Sequence, residues 1–337
     1  MTKIEARSEL ILLSGRDLQA LLKPKAVIEA LQQAYCDLAA NRADSGKSLA
    51  FAVEGGSAHV KAGLLPGSRA ALAAKVNVNL PGNWEKRQLP TIQGAVLLVD
   101  AITGRPLAVM DSIVLTAIRT AATAMFAAGF GARKDSKVAA IIGCGAQAHY
   151  QADALKARFP VTKIRVFDQD KHRARAFAAA IGEATASVAV APTVSDAVAG
   201  ADLCITCTTS KEPVLTHEMN LAGCFVAAVG ADNPEKCEIE PALMARARIL
   251  VDDLDQCASG ADLAHALRAG ALTRASVHAD LAELAADHKR GREASDELVI
   301  FDSSGSGVQD VAAAWLAYRT AQAAGMGTTF DLRGAAA

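Results

Sequence analysis

Apolar and polar positions change their period twice along this 337-residue chain. Between residues 16 and 41, Leu18, Leu21, Leu22, Val27, Leu31, Tyr35 and Leu38 recur near helical spacing and predict a helix. Between 47 and 110 short alternating runs take over: Ser48 to Val53, His59 to Ala62, Ala73 to Asn79 and Ile92 to Val99. Gly55-Gly56, Pro66-Gly67, Pro81-Gly82 and Thr103-Gly104 punctuate them as turns, which predicts a mainly antiparallel β region. Asp111 to Ala132 is alanine-rich and reads as a helix, with Arg119 inside it. From about 136 the pattern alternates between strand and helix. Strands are expected at 138–142, 163–167, 186–190, 203–207, 224–229 and 248–251, the alternation that builds a parallel, doubly wound sheet. A last apolar piece, Leu298 to Phe301, precedes a helix from Val308 to Ala324, and Thr328 to Ala337 has the composition of a tail.

The run Val138-Ala139-Ala140-Ile141-Ile142-Gly143-Cys144-Gly145-Ala146-Gln147-Ala148 places Gly-x-Gly-x-x-Ala between a strand and a helix. That order suits a dinucleotide. Gly143 permits the turn, Gly145 lets backbone approach the pyrophosphate, and Ala148 lets the helix pack on the strand. The N–H groups at the helix start face the phosphates. A second strand, Lys163 to Phe167, ends in Asp168, where a ribose 2′-hydroxyl would be held. The fold class is therefore α/β, with a Rossmann doubly wound domain over 128–305. An α+β domain over 1–127 precedes it, and the helix at 308–325 is expected to pack back on that first domain.

Composition removes several alternatives. Apolar residues make up 51% of the chain, which excludes disorder for most of it, and the formal net charge of -1 offers no basic field for nucleic acid. Seven scattered cysteines, an odd number with several in apolar runs, read as reduced thiols in the cytoplasm. Cys204 and Cys207 have CxxC spacing, but on a strand they point to opposite faces, which suits neither a redox pair nor a metal pair. The seven histidines form no ligand cluster, so no metal is expected. Met1 to Glu5 lacks a basic-then-apolar leader, and no apolar run nears the roughly 20 residues that span a bilayer, so no membrane partner is expected.

Three residues outside the glycine turn could do chemistry. Lys75 lies among small and apolar residues on a strand, so it either meets an anion or points outward from an edge strand. Arg119 sits in a helix of small and apolar residues, where a guanidinium seeks a planar anion such as a carboxylate, or makes a structural salt bridge. Asp232 follows the apolar run Ala227-Ala228-Val229, beyond the carboxyl end of a strand, where open α/β sheets bind ligands. A turn or capping acid before Pro234 is the plainer reading.

Leu89-Pro90-Thr91, Leu115-Thr116-Ala117-Ile118-Arg119-Thr120-Ala121-Ala122, Ile142-Gly143-Cys144-Gly145-Ala146-Gln147 and Val229-Gly230-Ala231-Asp232 occur in this order. From about residue 8 to 325 the chain resembles the ornithine cyclodeaminase/μ-crystallin family. That family includes ornithine and lysine cyclodeaminases, cyclic ketimine reductases, alanine dehydrogenases and imino-acid reductases. The resemblance implies that the first domain binds substrate and forms a homodimer whose strands complete a barrel. It implies that Lys75 and Arg119 hold the α-carboxylate of an amino or imino acid, and that Asp232 is the general acid/base at the substrate nitrogen. Thr91, Arg119, Gly143, Gly145, Ala146, Gln147, Asp168, Thr208, Val229, Lys236 and Ser303 would line the NAD site. Lys47, or in its place Arg42, would be a further cationic ligand, and Ser304 would border the substrate.

Ornithine cyclodeaminases place an acid on the strand before Lys75 to receive a distal ammonium. Here that stretch reads His59-Val60-Lys61-Ala62-Gly63, and Lys61 would repel an ammonium and favour an anion. The sequence thus favours reduction of a cyclic ketimine or small imino acid to the L-amino acid, or the reverse dehydrogenation. Conversion of ornithine to proline and ammonia with catalytic NAD is the alternative, and a noncatalytic NAD(P)H-binding protein of the μ-crystallin type a second. Asp168 favours NAD(H), while Lys171, His172 and Arg173 leave NADP(H) open.

Overall fold

The computed structural model describes residues 9–182 and 186–332. The expectations for Met1 to Glu5 and for the end of the tail lie outside them. In chain order the first elements are β1 (Glu9–Leu13), α1 (Gly15–Leu21), α2 (Pro24–Ala39), β2 (Leu49–Val53), β3 (Gly56–Leu65) and β4 (Ala71–Asn79). Next come α3 (Asn83–Arg87), β5 (Ile92–Asp100), β6 (Pro106–Asp111), α4 (Ser112–Gly131), β7 (Val138–Ile142), α5 (Ala146–Arg158) and β8 (Lys163–Phe167). They are followed by α6 (Lys171–Ile181), β9 (Ser187–Val190), α7 (Val194–Val198), β10 (Leu203–Thr206), β11 (Phe225–Ala228), α8 (Pro241–Met244) and β12 (Arg248–Val251). The chain closes with α9 (Leu254–Gly260), α10 (Asp262–Arg268), β13 (Val277–Asp280), α11 (Leu281–Ala285), β14 (Val299–Asp302), α12 (Gly307–Ala324) and β15 (Thr328–Asp331).

Two compact units result. One contains residues 1–119 and 306–337, the other 120–305. The division falls between Arg119 and Thr120, inside α4, eight residues before the boundary expected at 127. A helix that continues through a boundary leaves no Gly-, Pro- or Ser-rich linker to mark it. α4 also corrects the reading of apolar runs: its 20 residues, at mean hydropathy 1.6, are long and apolar enough to cross a membrane. In this fold 72% of that stretch is buried inside the protein, which accounts for its apolarity.

The first unit is built on a seven-stranded sheet in the order β15-β1-β6-β5-β4-β3-β2. β2 to β6 form an antiparallel meander, β1 pairs parallel with β6, and β15 closes the far edge antiparallel to β1. Because side chains alternate along a strand, the sheet has two distinct faces. Ala71, Ala73, Val96, Leu98 and Met110 are buried on one, against which α12 packs through β3 and β4. Leu64, Leu72, Val76 and Leu97 are exposed on the other.

Two local expectations fail here. The helix expected over 16–41 is broken at Leu22 and Lys23, both extended, because Pro24 cannot donate an N–H and starts a new helix instead. The segment read as tail contributes β15. Its Thr328, Thr329 and Phe330 are strand formers that gain partners only when β1, itself unanticipated, presents a free edge.

The second unit is a doubly wound α/β fold around an eight-stranded, wholly parallel sheet in the order β13-β12-β14-β11-β10-β7-β8-β9. Ala140, Ile142, Val226, Ile249, Val251 and Ile300 belong to its core. The apolar runs are nearly continuous because both faces of a parallel sheet are covered. β13, too short and mixed to announce itself, was not expected. The order reverses between β7 and β10, which makes that crevice the switch point of the sheet.

Candidate functional site

At the switch point the chain leaves β7 through Gly143, whose φ is +93°. A Cβ there would lie 2.9 Å from both the Cys207 carbonyl oxygen and Thr208 Cγ2, so both the torsion and the space require glycine. Gly145 is the N-cap of α5, and no side chain caps that helix. A Cβ at Gly145 would meet open space. Ala148 is fully buried and seats the helix on the sheet. An uncapped helix start facing an open side is a binding place for a pyrophosphate.

Asp168, at the end of β8, accepts the Cys144 N–H on Oδ2 at 2.8 Å and the Asp170 N–H on Oδ1 at 2.9 Å. It therefore braces the glycine turn, and each oxygen keeps a lone pair for another donor. A cavity of about 420 Å³ opens beside it, lined by Phe167, Gln169, Lys171, Arg175, Val190 and Pro192 among others. Arg175, rather than His172 or Arg173, joins Lys171 there. These features fit the ribose and base of a dinucleotide. A larger cavity, about 630 Å³, is lined by His217, Arg246, Arg248 and Glu297 at the amino ends of the strands, and no residue expected from the sequence lines it.

Thr208 and Val229 follow β10 and β11 at the same carboxyl edge. Buried Glu238 ties their loops: Oε1 accepts the Thr208 N–H at 2.6 Å, and Oε2 accepts the Gly230 N–H at 2.8 Å and the Thr206 hydroxyl at 2.7 Å. Asp232 stands just beyond. Its side chain is 49% exposed and pairs with Lys236 Nζ at 2.8 Å, so the two residues expected at the cofactor and the substrate nitrogen touch one another. Ser303 donates its hydroxyl to Asp252 at 2.8 Å, and Ser304 donates its N–H to the same carboxylate at 3.2 Å. The hydroxyl of Ser303 is thereby engaged within the protein. Cys144 is no nucleophile, since burial and the Asp168 charge push its thiol up to about 12.

In the first unit, Lys75 and Arg119 converge on one carboxylate that the sequence reading overlooked. Lys75 Nζ lies 2.8 Å from Asp310 Oδ2 and 3.0 Å from Oδ1, and Arg119 Nε donates to Oδ1 at 3.0 Å. Thr116 accepts from Lys75 at 3.2 Å, and Gln309 Oε1 accepts from Arg119 Nη1 at 2.7 Å. Lys75 is only 4% exposed and β4 is an interior strand of the sheet, so the edge-strand surface reading of this residue is overturned. Arg119 does make the structural ion pair that was its plainer reading. Burial drives Lys75 down to about 8, with Arg119 and Lys61 adding to the fall and Asp310 opposing it. Burial raises the Asp310 carboxyl, yet Lys75 and Arg119 together hold it below its ordinary value.

Lys61, half-buried on β3, lies directly across from Lys75. Lys47 and Thr91 are exposed, outside this buried cluster. Arg42 is held by Asp37, which also binds Arg69. Asp310 had one signal in the sequence: a single acid in the apolar run Gly307 to Ala314, the mirror of Arg119 in its own apolar helix. An acid in one apolar helical run and a cation in another call for each other.

The sequence model of the Ornithine cyclodeaminase/mu-crystallin family matches residues 14–325. An alanine dehydrogenase from Archaeoglobus fulgidus is 32% identical over 321 residues, which are 95% of this chain and 98% of that protein. The structure of an archaeal alanine dehydrogenase dimer with bound NAD superposes with a TM-score of 0.91 at 32% identity, covering 96% of this chain and 99% of that one. Thermococcus litoralis Δ1-pyrroline-2-carboxylate reductase, solved with NADH and L-proline, gives a TM-score of 0.90 at 32% identity over 95% of this chain and 99% of that one. With a family model spanning nearly its whole length and relatives this similar end to end, the chain belongs to the ornithine cyclodeaminase/mu-crystallin family.

Proposed function

We propose that this protein reduces the C=N bond of a cyclic ketimine or small imino acid of the pyrroline-2-carboxylate type to the L-amino acid, or runs the reverse dehydrogenation. Its broader class is an NAD(P)-dependent oxidoreductase acting on C–N bonds of amino and imino acids. The observation that carries the finer reading is the buried pair Lys75 and Arg119, gathered on one carboxylate in the first unit. Two cations at such a spacing can fix a substrate carboxylate and, with it, the α-carbon next to it. In this reading Asp232 delivers a proton to the substrate nitrogen as that atom becomes an amine, and takes it back in the reverse direction. The cofactor, when bound, supplies the hydride at the α-carbon. The Gly143 turn, the uncapped start of α5 and Asp168 would hold it, with NAD(H) preferred.

A cation at position 61 disfavours ornithine, whose distal ammonium would face it. The exposed apolar face of the seven-stranded sheet, with Leu49, Phe51, Val76 and Leu97, supports a homodimer formed through the first unit. Seven free thiols suit the reducing cytoplasm.

The test offers NADH with Δ1-pyrroline-2-carboxylate, NADH with pyruvate and ammonia, and NAD with ornithine. Loss of reduced-nicotinamide absorbance in the first or second mixture is expected. Proline and ammonia from ornithine without net NADH would reassign the protein as a cyclodeaminase. Tight cofactor binding with no turnover at all would make it a binding protein. Asp232→Asn should lower turnover by about 10²–10⁴-fold with the NADH Kd unchanged; near-normal turnover removes Asp232 from proton transfer.

A further inference from the structure

We infer that Asp310 is a positioning residue: from the first turn of α12 it grips Lys75 and Arg119 together and sets the spacing of the two cations that hold the substrate carboxylate. The inference rests on the carboxylate-binding role given to Lys75 and Arg119 above. Both cations reach the same oxygen, Oδ1, at 3.0 Å, so Lys75 Nζ and Arg119 Nε lie within about 6 Å of each other. Asp310 is fully buried, so its charge is spent on these two partners rather than on water. It stands in the first turn of an 18-residue helix, where the helix dipole favours a carboxylate.

The backbone brings it there. A Cβ at Gly307 would fall 1.8 Å from the Ala62 carbonyl oxygen, and one at Gly63 would fall 2.2 Å from the Gly307 carbonyl oxygen. With glycine at both positions α12 starts directly against β3. A side chain as short as aspartate, three residues later, then reaches Lys75 on β4. Gln309 beside it fixes the Arg119 Nη1 edge, and the Tyr35 hydroxyl accepts from Gln309 Nε2 at 2.8 Å.

Lys75 is faced by Arg119 and Thr116 from α4, Lys61 from β3 and Asp310 from α12; its β5 neighbour, Val96, is apolar. Asp310 is the counter-charge in that set. Without it three cations repel one another, and Lys75 sheds its proton at lower pH. Shape and charge can be separated. Asp310→Asn keeps the shape and loses the charge; Asp310→Glu keeps the charge and displaces it by one methylene.

The experiment measures KM, kcat and the NADH Kd with Δ1-pyrroline-2-carboxylate across pH, together with the Lys75 Nζ resonance in [15N]lysine-labelled protein. Asp310→Asn should raise KM about tenfold or more, leave the NADH Kd unchanged and move the alkaline fall of kcat/KM to lower pH by about one unit. The Lys75 resonance should titrate lower by the same amount. Asp310→Glu should raise KM while leaving the alkaline fall in place. Wild-type KM in Asp310→Glu, or an unmoved Lys75 titration in Asp310→Asn, overturns the assignment. If Asp310→Asn does not fold, the KM of Asp310→Glu decides alone. If the wild-type protein reduces no imino acid, the functional reading fails separately, and the Lys75 titration still judges Asp310.

Discussion

Lys61 and Lys75 stand directly opposite each other on β3 and β4, two like charges on one face of an antiparallel pair. Such a pair is unfavourable on its own. It persists where anions are close: Asp310 within the protein and, in the proposed reaction, the substrate carboxylate. Lys61→Glu should therefore raise KM for Δ1-pyrroline-2-carboxylate about tenfold, a loss of roughly 1.4 kcal/mol, with the NADH Kd unchanged. Steady-state kinetics with fluorescence titration of NADH checks this. A KM within about twofold of wild type would make Lys61 a solvated strand position with no part in substrate binding.

In the proposed reaction Lys75 holds the substrate carboxylate only while protonated, and burial lowers it to about 8. The sign follows: kcat/KM for the imino acid is full below that pH and falls as pH rises through it. A pH–rate profile of the free enzyme tests this. An alkaline limb that starts only near the ordinary lysine value would separate Lys75 from substrate binding.

Asp168 does two things at once, bracing the Cys144 N–H and facing the cavity that also holds Lys171 and Arg175. Asp168→Ala should weaken NADH binding about tenfold and narrow the preference for NADH over NADPH, because the two cations then meet a 2′-phosphate without the opposing acid. Paired Kd values for NADH and NADPH decide it. An unchanged ratio would remove Asp168 from cofactor choice.

The second unit carries buried acids that no proposed step uses. Asp262 Oδ1 accepts the N–H groups of Glu238 and Ile239 at 2.7 and 2.9 Å, while burial and then the Glu238 charge raise its carboxyl to about 7. A carboxyl raised in the folded state stabilises fully below its unfolded value and loses that contribution as pH rises through its folded value. Thermal stability should therefore fall between about pH 4 and 7, by a few kcal/mol at most. Asp262→Asn should flatten that slope, as followed by melting at several pH values; the same slope in the variant would point to other groups.

Much of the second unit was legible because its signals are local. Apolar runs of strand length alternate with helices, and the glycine turn, its torsion and its open side all lie within a few consecutive residues. The same locality explains the misses. Pro24 splits a helix that side-chain spacing alone makes continuous. β15 gains its partners from β1 across more than 300 residues of chain, and β1 pairs in turn with the distant β6. The unit boundary inside α4 leaves no mark in composition.

The amino-acid sequence by itself determined which residues carry charge into apolar surroundings, and so named Lys75 and Arg119, because burying a charge is costly enough to stand out in any apolar run. Only the tertiary structure decided what answers those charges. Lys75, Arg119 and Asp310 are separated by up to 235 residues and meet because a glycine-lined approach of α12 to β3 sets them within hydrogen-bond reach. That distance is a property of packing, which no local pattern encodes.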